Sequence, residues 1–208
     1  AEKLGVEIIT PRFSEGKAKL ADIDSIVANS CRILSNHAIK GKNVFIAAGA
    51  VPSRIDDIRI LSNSATGGIG IKIADLAFKL GANVTLFMHD TGISVPSYIT
   101  VKKFNYFEDY LEGVLSILST GFDVGIFPAA VADFGSEGAF AGKISSSDEL
   151  NLRLKPNPKV VEVVREKFPD LFLVAFKHES GVSQSELVEI AMDKIESHRF
   201  DLVVANRR

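Results

Sequence analysis

The 208-residue sequence has little cysteine, little net charge and no long apolar run, and each absence excludes a class of protein. Cys31 is the single cysteine, so the chain cannot form an internal disulfide, which favours a reducing, cytoplasmic compartment. A formal net charge of -2 gives no support to nucleic-acid or anionic-membrane binding. No apolar stretch approaches the roughly 20 residues that a membrane-spanning helix needs, and no secretory signal pattern opens the chain.

Short β-branched runs alternate with helical patterns along most of the chain. Several runs are almost wholly apolar, as in strands that are covered on both faces. This alternation predicts an α/β fold with a doubly wound, mainly parallel sheet, in which ligands bind at the carboxyl ends of the strands. The predicted strands are 43–48, 83–88, 99–103, 123–127, 171–175 and 201–205, and the predicted helices are 22–34, 68–80, 107–119, 158–168 and 183–198.

Three segments fall outside this alternation. Residues 1–40 read as a separate leader with a strand at 6–9, and residues 41–208 as the main domain. Residues 133–148 are rich in Gly, Ser and Ala and predict an irregular flap around Lys143. Residues 150–154 alternate apolar and polar side chains, which predicts an edge strand beneath the flap.

The sequence Leu-Ser-Asn-Ser-Ala-Thr-Gly-Gly-Ile-Gly at 61–70 lies between a predicted strand and a predicted helix. A glycine-rich turn that opens a helix directs backbone N–H groups at an anion. Asn63 adds a neutral donor and acceptor just before the glycines. The segment therefore predicts a site for a phosphate or acyl-phosphate ligand, although Asn63 as a simple helix cap and a tight turn that binds nothing also fit.

A second segment, Pro-Ala-Ala-Val-Ala-Asp-Phe at 128–134, follows the fourth predicted strand of the main domain. Its small residues permit close approach of a ligand to the backbone, and Asp133 places a carboxylate at the sheet edge. Lys143 follows ten residues later, then Asn157 and Pro158 at the start of a predicted helix, then Phe176 after a predicted strand. The four histidines show no metal-ligand spacing, so no structural metal site is predicted.

Taken with the Asn63 loop, these segments resemble phosphopantothenate–cysteine ligase, the synthetase half of the bifunctional coenzyme A biosynthesis flavoprotein. The resemblance runs from about Lys42 to Asn206 and implies a Rossmann-like fold with a flap over the nucleotide site. In the implied reaction, the carboxylate of 4′-phosphopantothenate attacks a nucleoside triphosphate, with CTP favoured over ATP, and L-cysteine then displaces the nucleotide. Mg2+, a homodimer and a cytoplasmic location are further implications.

The resemblance also implies roles for particular residues. Asn63 is the expected donor to the acyl oxygen, and Lys143 the flap cation that neutralises phosphate charge. Phe176 matches the position where the base is held. The positions that match nucleotide contacts are Gly67, Gly70, Pro128, Ala129, Ala130, Asp133, Asn157, Pro158, Phe176, Lys194, His198 and Asn206.

Residues 1–30, through the segments 5–9 and 15–22, resemble the end of the flavin-dependent decarboxylase half that precedes the ligase in fused proteins. A decarboxylase partner is therefore expected, but no flavin in this chain. The chain departs from the family at 51–56, where the family often has Thr-x-Glu-Pro-x-Asp, and at 145–146, where two flap lysines are replaced by serines. The family continues beyond Asn206, so the C-terminal tail is expected to be short or missing.

Two other functions fit parts of the sequence. The glycine-rich loop resembles that of NAD(P)-dependent short-chain oxidoreductases, and Tyr98 and Lys102 match their Tyr-x-x-x-Lys pattern. However, the β-branched surroundings of Tyr98 predict extended backbone, whereas that chemistry needs both side chains on one helix face. A non-catalytic nucleotide-binding subunit is the second alternative, because two flap charges are absent. Cys31, on a predicted helix, is expected to be buried.

Overall fold

Six parallel strands form the centre of the computed structural model, which describes residues 8–136, 140–145 and 149–207. The strands are β1 Asn43–Ala48, β2 Asn83–His89, β3 Thr100–Phe104, β4 Val124–Phe127, β5 Phe172–Glu179 and β6 Leu202–Arg207. They lie in the order β3-β2-β1-β4-β5-β6, and every neighbouring pair is parallel. This order is that of the doubly wound, Rossmann-like fold, so the predicted fold class is confirmed.

Five helices flank the sheet, each beginning at or within two residues of its predicted start. They are α1 Ile23–Leu34, α2 Gly68–Lys79, α3 Phe107–Leu118, α4 Val160–Lys167 and α5 Gln184–His198. A capping box begins α5: the Glu186 amide donates to Ser183 Oγ at 3.3 Å, and the Ser183 amide donates to Glu186 Oε2 at 2.7 Å. None of the helices in the described part of the chain is long and apolar enough to span a bilayer.

Strand β1 lies between two apolar clusters, which explains its almost unbroken apolar sequence. Phe45 and Ala47 pack with residues of α3 and α4 on one face, whereas Val44, Ile46 and Ala48 pack with α2 on the other. All five side chains are fully buried. Successive side chains of a strand point to opposite faces, so a central strand of a two-sided sheet needs apolar residues at every position.

Three details of the sequence-based expectation are wrong. Helix α4 begins at Val160 rather than at residue 158, because Asn157 donates its side-chain amide to Ala132 O at 3.0 Å instead of capping the helix. The strand beneath the flap is Leu154–Pro156, paired antiparallel with Phe134–Ser136, and not 150–154. Cys31 is exposed, since the inward face of α1 carries Ser25 and Ala28.

Short strand pairs extend from the sheet and from the leader. Of the strand expected at 6–9, residues 6 and 7 lie outside the described residues, and residues 8 and 9 form no strand. A hairpin pairs Arg12–Ser14 with Lys17–Lys19 instead. At the carboxyl edge, Ser53–Arg54 pairs antiparallel with Ile60–Leu61, and Ala50–Val51 pairs in parallel with Ala130–Val131.

Candidate functional site

The loops that follow β1 and β4 meet where the direction of the strand order reverses. The amide of Ala130 donates to Gly49 O at 2.9 Å, and the Asn63 side-chain amide donates to Ala130 O at 2.5 Å. A crevice outside the carboxyl ends of the strands at this switch point is the general ligand position of open α/β sheets. The structure thus brings the two loops that the sequence marked to one place, here called the switch-point site (residues 49–50, 63–67 and 128–130).

Asn63 does not cap helix α2. Its Oδ1 accepts from the amide of Ala65 at 3.3 Å, whereas the N-cap position is Gly67, which makes no side-chain cap bond. The side chain is exposed, and its amide has a second N–H beyond the one given to Ala130. The interpretation of Asn63 as a simple cap is therefore wrong, and within the described residues the second N–H of its side chain has no partner.

Gly67 and Gly70 have separate structural reasons to be glycine. Gly67 has a φ of +88°, and an added Cβ would lie 3.3 Å from the Cα atom of Gly49. At Gly70, a Cβ would overlap that of Ala48 on β1. Together they allow the amino-terminal end of α2 to lie against the end of β1. Their expected contact with phosphate stays a prediction.

A cavity of about 240 Å³ opens beside the switch-point site, between the carboxyl ends of β4 and β5 and helix α4. Its floor is apolar and includes Phe127, Ala175 and Val203. The pairing of an apolar floor with a few polar rim groups is typical of small-ligand sites. Six of the predicted nucleotide positions line it: Ala129, Asp133, Asn157, Pro158, Phe176 and Lys194.

Asn157 and Asp133 shape the rim of this cavity. The backbone amide of Asn157 donates to Asp133 O at 2.8 Å, and its side-chain amide donates to Ala132 O at 3.0 Å. Asn157 therefore fixes the backbone of both residues. The carboxylate of Asp133 is paired with Lys159 and is 68% exposed, so it stays accessible to a ligand. The rim therefore offers a carboxylate acceptor next to a cation.

Lys194 and His198 lie on one face of α5, as their spacing of four residues predicts. Lys194 Nζ lies 3.0 Å from His198 Nε2, and His198 Nδ1 lies 3.5 Å from Glu162 Oε1. The His198 ring also stacks on Phe200 at a centroid distance of 5.4 Å. Lys194 lines the cavity, whereas His198 does not line it and contacts Lys194 from the side.

Lys143 and Asn206 lie apart from this cavity. Lys143 is exposed on segment 140–145, which packs against the loop between Ser53–Arg54 and Ile60–Leu61. Asn206 is exposed on the edge strand β6, in register with His178. Sequence reasoning missed Asp56 and Arg59 in that loop, whose side chains form an ion pair with Asp56 fully buried.

In the described part of the chain, no three or more His, Cys, Asp or Glu side chains are grouped to hold a metal ion. Mg2+ is commonly held by one or two carboxylates together with substrate phosphates. The single exposed carboxylate of Asp133 fits this way of binding Mg2+ rather than a site built wholly from protein ligands. Such a carboxylate would hold Mg2+ together with the phosphates of a bound triphosphate.

The geometry of Tyr98 counts against an oxidoreductase of the short-chain type. Tyr98 precedes β3 and Lys102 lies within it, so the two do not share a helix face. The Tyr98 hydroxyl donates to Asp75 Oδ1 at 2.5 Å. Burial and this hydrogen bond raise the pKa of Tyr98 above its usual value, which is the opposite of what a catalytic tyrosinate needs.

Fold and site together define a Rossmann-like α/β domain with a polar-rimmed cavity beside its switch point. The family model described as DNA/pantothenate metabolism flavoprotein C-terminal domain matches residues 39–208. The chain belongs to this family.

The chain is similar to two proteins called coenzyme A biosynthesis bifunctional protein CoaBC. The one from Thermococcus kodakarensis is 43% identical over 207 residues, which cover 99% of this chain and 51% of the relative. The one from Methanocaldococcus jannaschii is 34% identical over 206 residues, covering 99% and 50%. The chain spans about half the length of the curated relatives it matches. A crystal structure of the C-terminal domain of a CoaBC protein superposes with a TM-score of 0.69 at 27% identity, covering 81% of this chain and 79% of that one.

Proposed function

We propose that this chain is a ligase that joins 4′-phosphopantothenate and L-cysteine through an acyl-nucleotide intermediate in coenzyme A biosynthesis. Membership of the family and 43% identity to a bifunctional protein of coenzyme A biosynthesis support the pathway. The observation that carries the chemistry is the exposed side chain of Asn63, fixed on Ala130 beside a cavity suited to a nucleotide.

In the first step, an oxygen of the substrate carboxylate attacks the α-phosphorus of the triphosphate, and pyrophosphate leaves. Phe176 offers a ring to the base within the cavity, and Lys194 offers a cation at its rim. Base–aromatic stacking is worth about 1–3 kcal/mol per base. Lys143 neutralises charge on the phosphates from segment 140–145. In this proposal the cavity holds the nucleotide, while Lys143 acts on the phosphates whose bonds change.

In the second step, the amine of cysteine attacks the acyl carbon, the amide bond forms and the nucleoside monophosphate leaves. Negative charge develops on the acyl oxygen. The remaining N–H of the Asn63 amide can donate to this oxygen, because its other N–H is held by Ala130 O and fixes the side chain. A donor held in place before the reaction costs no reorganisation as charge develops.

CTP rather than ATP, and Mg2+ bound to the triphosphate, are the finer parts of the proposal. Their support is the likeness to the fused ligase family. Pyrophosphate release should be measured with each of the four triphosphates, with phosphopantothenate and cysteine both present or one omitted. Fastest release with CTP that requires phosphopantothenate is the expected result. Faster release with ATP would overturn the choice of base, and nucleotide binding without release would favour a non-catalytic subunit.

A homodimer is the second part of the proposal. Large apolar side chains are exposed around the Phe134–Ser136 and Leu154–Pro156 hairpin, and contiguous exposed apolar surface commonly marks an interface. They are Phe134, Phe140, Leu150, Leu152 and Leu154. Light scattering at micromolar concentration should give twice the mass of the chain, and Leu154→Asp should reduce it to the monomer. A monomeric wild-type chain would contradict this part.

We also propose a flavin-dependent decarboxylase as a partner, because the curated relatives that the chain matches are bifunctional proteins of coenzyme A biosynthesis. The proposed compartment is the cytoplasm, in keeping with one exposed free cysteine. Co-expression of the chain with such a decarboxylase from the same organism and joint purification tests the partnership. Separate elution of the two proteins at micromolar concentration would contradict it.

A further inference from the structure

A buried carboxylate lies in the loop between the short strands Ser53–Arg54 and Ile60–Leu61. The side chain of Asp56 is 0% exposed, although charged side chains are rarely buried unless they are paired. Nothing in the proposed chemistry uses this group. The hydrogen bonds of Asp56 show which parts of the chain it connects.

Four donors converge on the carboxylate of Asp56. The amides of Ile58 and Arg59 donate to Oδ1 at 2.8 and 2.6 Å. Arg59 Nη1 donates to Oδ2 at 2.5 Å, and the amide of Ile144 donates to the same oxygen at 3.0 Å. Burial alone would raise the pKa of Asp56, but these hydrogen bonds outweigh it and hold the pKa well below its usual value. Asp56 is therefore ionised at neutral pH.

The bond from Ile144 links the loop to the segment that carries Lys143, 88 residues away in sequence. Three further hydrogen bonds run between the same two segments. The amide of Phe140 donates to Ile55 O at 2.8 Å, the amide of Asp57 to Gly142 O at 3.2 Å, and Arg59 Nη1 to Ile144 O at 3.2 Å. The backbone is thus fixed on both sides of Lys143.

The same loop leads directly to Asn63. The register of the hairpin pairs Ser53 with Leu61 and Arg54 with Ile60, so the chain leaves it two residues before Asn63. Asn63 is then fixed to Ala130 at the switch-point site. The loop that surrounds Asp56 therefore borders both residues assigned to the chemistry.

We propose that Asp56 is a positioning residue that, through Arg59 and the amide of Ile144, holds Lys143 in a fixed place relative to Asn63. The inference rests on the proposed function. Lys143 is exposed, so nothing in its own side chain fixes where its charge lies. Docking of residues 140–144 on residues 55–59 supplies that constraint. Displacement of a reacting group by about 1 Å can cost on the order of 100-fold in rate.

Asp57 provides a matched control at the neighbouring position. Its side chain is 49% exposed and forms an ion pair with Arg54 within the same loop. Asp56→Asn and Asp57→Asn each remove one negative charge, but only the first removes the charged acceptor of the Ile144 amide. Asp56→Asn should lower kcat for pyrophosphate release by about 10- to 100-fold with a smaller change in KM for the nucleotide. Asp57→Asn should stay within about twofold of wild type.

A double-mutant cycle distinguishes positioning from general support of the fold. If Asp56 acts through Lys143, Asp56→Asn should change kcat by less than about threefold in a Lys143→Ala background. Losses that multiply fully in the double variant would overturn the proposal. So would an Asp56→Asn variant with wild-type kcat per folded molecule.

Hydrogen exchange tests the same contact without an activity assay. Asp56→Asn should speed exchange of the amides of segment 140–145 by about tenfold or more while the amides of β1 stay protected. Unchanged exchange in segment 140–145, or equal acceleration throughout the sheet, would overturn the proposal. Absence of pyrophosphate release from the wild-type chain would instead overturn the ligase assignment, and exchange would still decide whether Asp56 holds the segment.

Discussion

The central sheet and the loops at its carboxyl edge are stabilised by different kinds of interaction. In the sheet, Leu173 and Phe45 are fully buried, and the rings of Phe45 and Phe127 are 5.6 Å apart. In the loops, the polar side chains of Asn63 and Asn157 bond to backbone carbonyls 67 and 25 residues away. Burial of apolar side chains is non-directional and tolerates small shifts of those side chains, whereas hydrogen bonds fix the positions of particular atoms.

We therefore expect the sheet to determine stability and the loops to determine the chemistry. Substitution in the sheet should lower the free energy of unfolding and leave the activity of each folded molecule largely unchanged. Substitution of Asn63 or Lys143, whose side chains are exposed in the loops, should lower turnover and leave the free energy of unfolding nearly unchanged. Substitutions in the two regions test each half of this division.

Leu173→Ala should have the largest effect on stability. The side chain is fully buried in β5, so its truncation leaves a cavity and should lower the free energy of unfolding by about 2–5 kcal/mol. Leu202→Ala, in the neighbouring β6, is the control, because Leu202 is 47% exposed and should cost only about 0.5 kcal/mol. Denaturant unfolding measures both. Equal losses would contradict the division.

Asn63→Ala and Lys143→Ala should each lower pyrophosphate release by about 100-fold or more, as the loss of a preorganised donor does. Lys143→Ala should also change the dependence of the rate on nucleotide concentration. Asn63→Ala should act mainly on acyl transfer and lead to accumulation of the acyl nucleotide. Steady-state rates and a single-turnover assay of the intermediate measure these effects.

Lys102→Ala on β3 is the control for the loss of a lysine, since Lys102 is exposed and lies on an edge strand that β2 and β1 separate from β4. Its turnover should match that of the wild type. The thermal midpoints of all three variants should also match. Near-normal release from both Asn63→Ala and Lys143→Ala would remove the assignment of the site.

The sheet could be predicted from the sequence because its signals are local. Apolar runs and helical spacing gave all six central strands and five helices in the correct order. The ends were less predictable. Strand β5 continues to Glu179 rather than to residue 175, because pairing with β6 extends across the polar residues Lys177 and His178. That pairing depends on residues almost 30 positions away.

The candidate site was predictable only in part. Sequence motifs identified Asp133, Asn157 and Phe176 as candidate site residues, and in the structure these three residues line one cavity. Asp56 coincides with the last residue of the family pattern at 51–56, but nothing local predicts its burial, because a carboxylate in a polar loop reads as exposed until the position of Ile144 is known. Local sequence can name the residue types of a site, but burial and contacts of this kind depend on tertiary structure.

Gly70→Ala tests the boundary between the two regions, where α2 lies against β1. The added methyl group would overlap the Cβ atom of Ala48, which is itself fully buried and cannot move away. Overpacking of this kind should cost about 1–3 kcal/mol. Gly68→Ala is the matched control, because its Cβ would meet only Thr66 Oγ1 at 3.7 Å. Denaturant unfolding of both variants should therefore separate them, and equal stability would refute the close approach.

The smallest expected effect is the pH dependence that Asp56 contributes to stability. Its hydrogen bonds hold the pKa well below the value of 3.8 expected when the chain is unfolded. The stabilisation should therefore be fully present above pH 3.8 and should be lost progressively as the pH falls further towards the folded pKa. As the pH falls below 3.8, the free energy of unfolding should fall more steeply for the wild type than for Asp56→Asn. Denaturant unfolding from pH 6 to pH 3 measures both slopes, and parallel curves would show that Asp56 holds segment 140–145 no more tightly when ionised than when neutral.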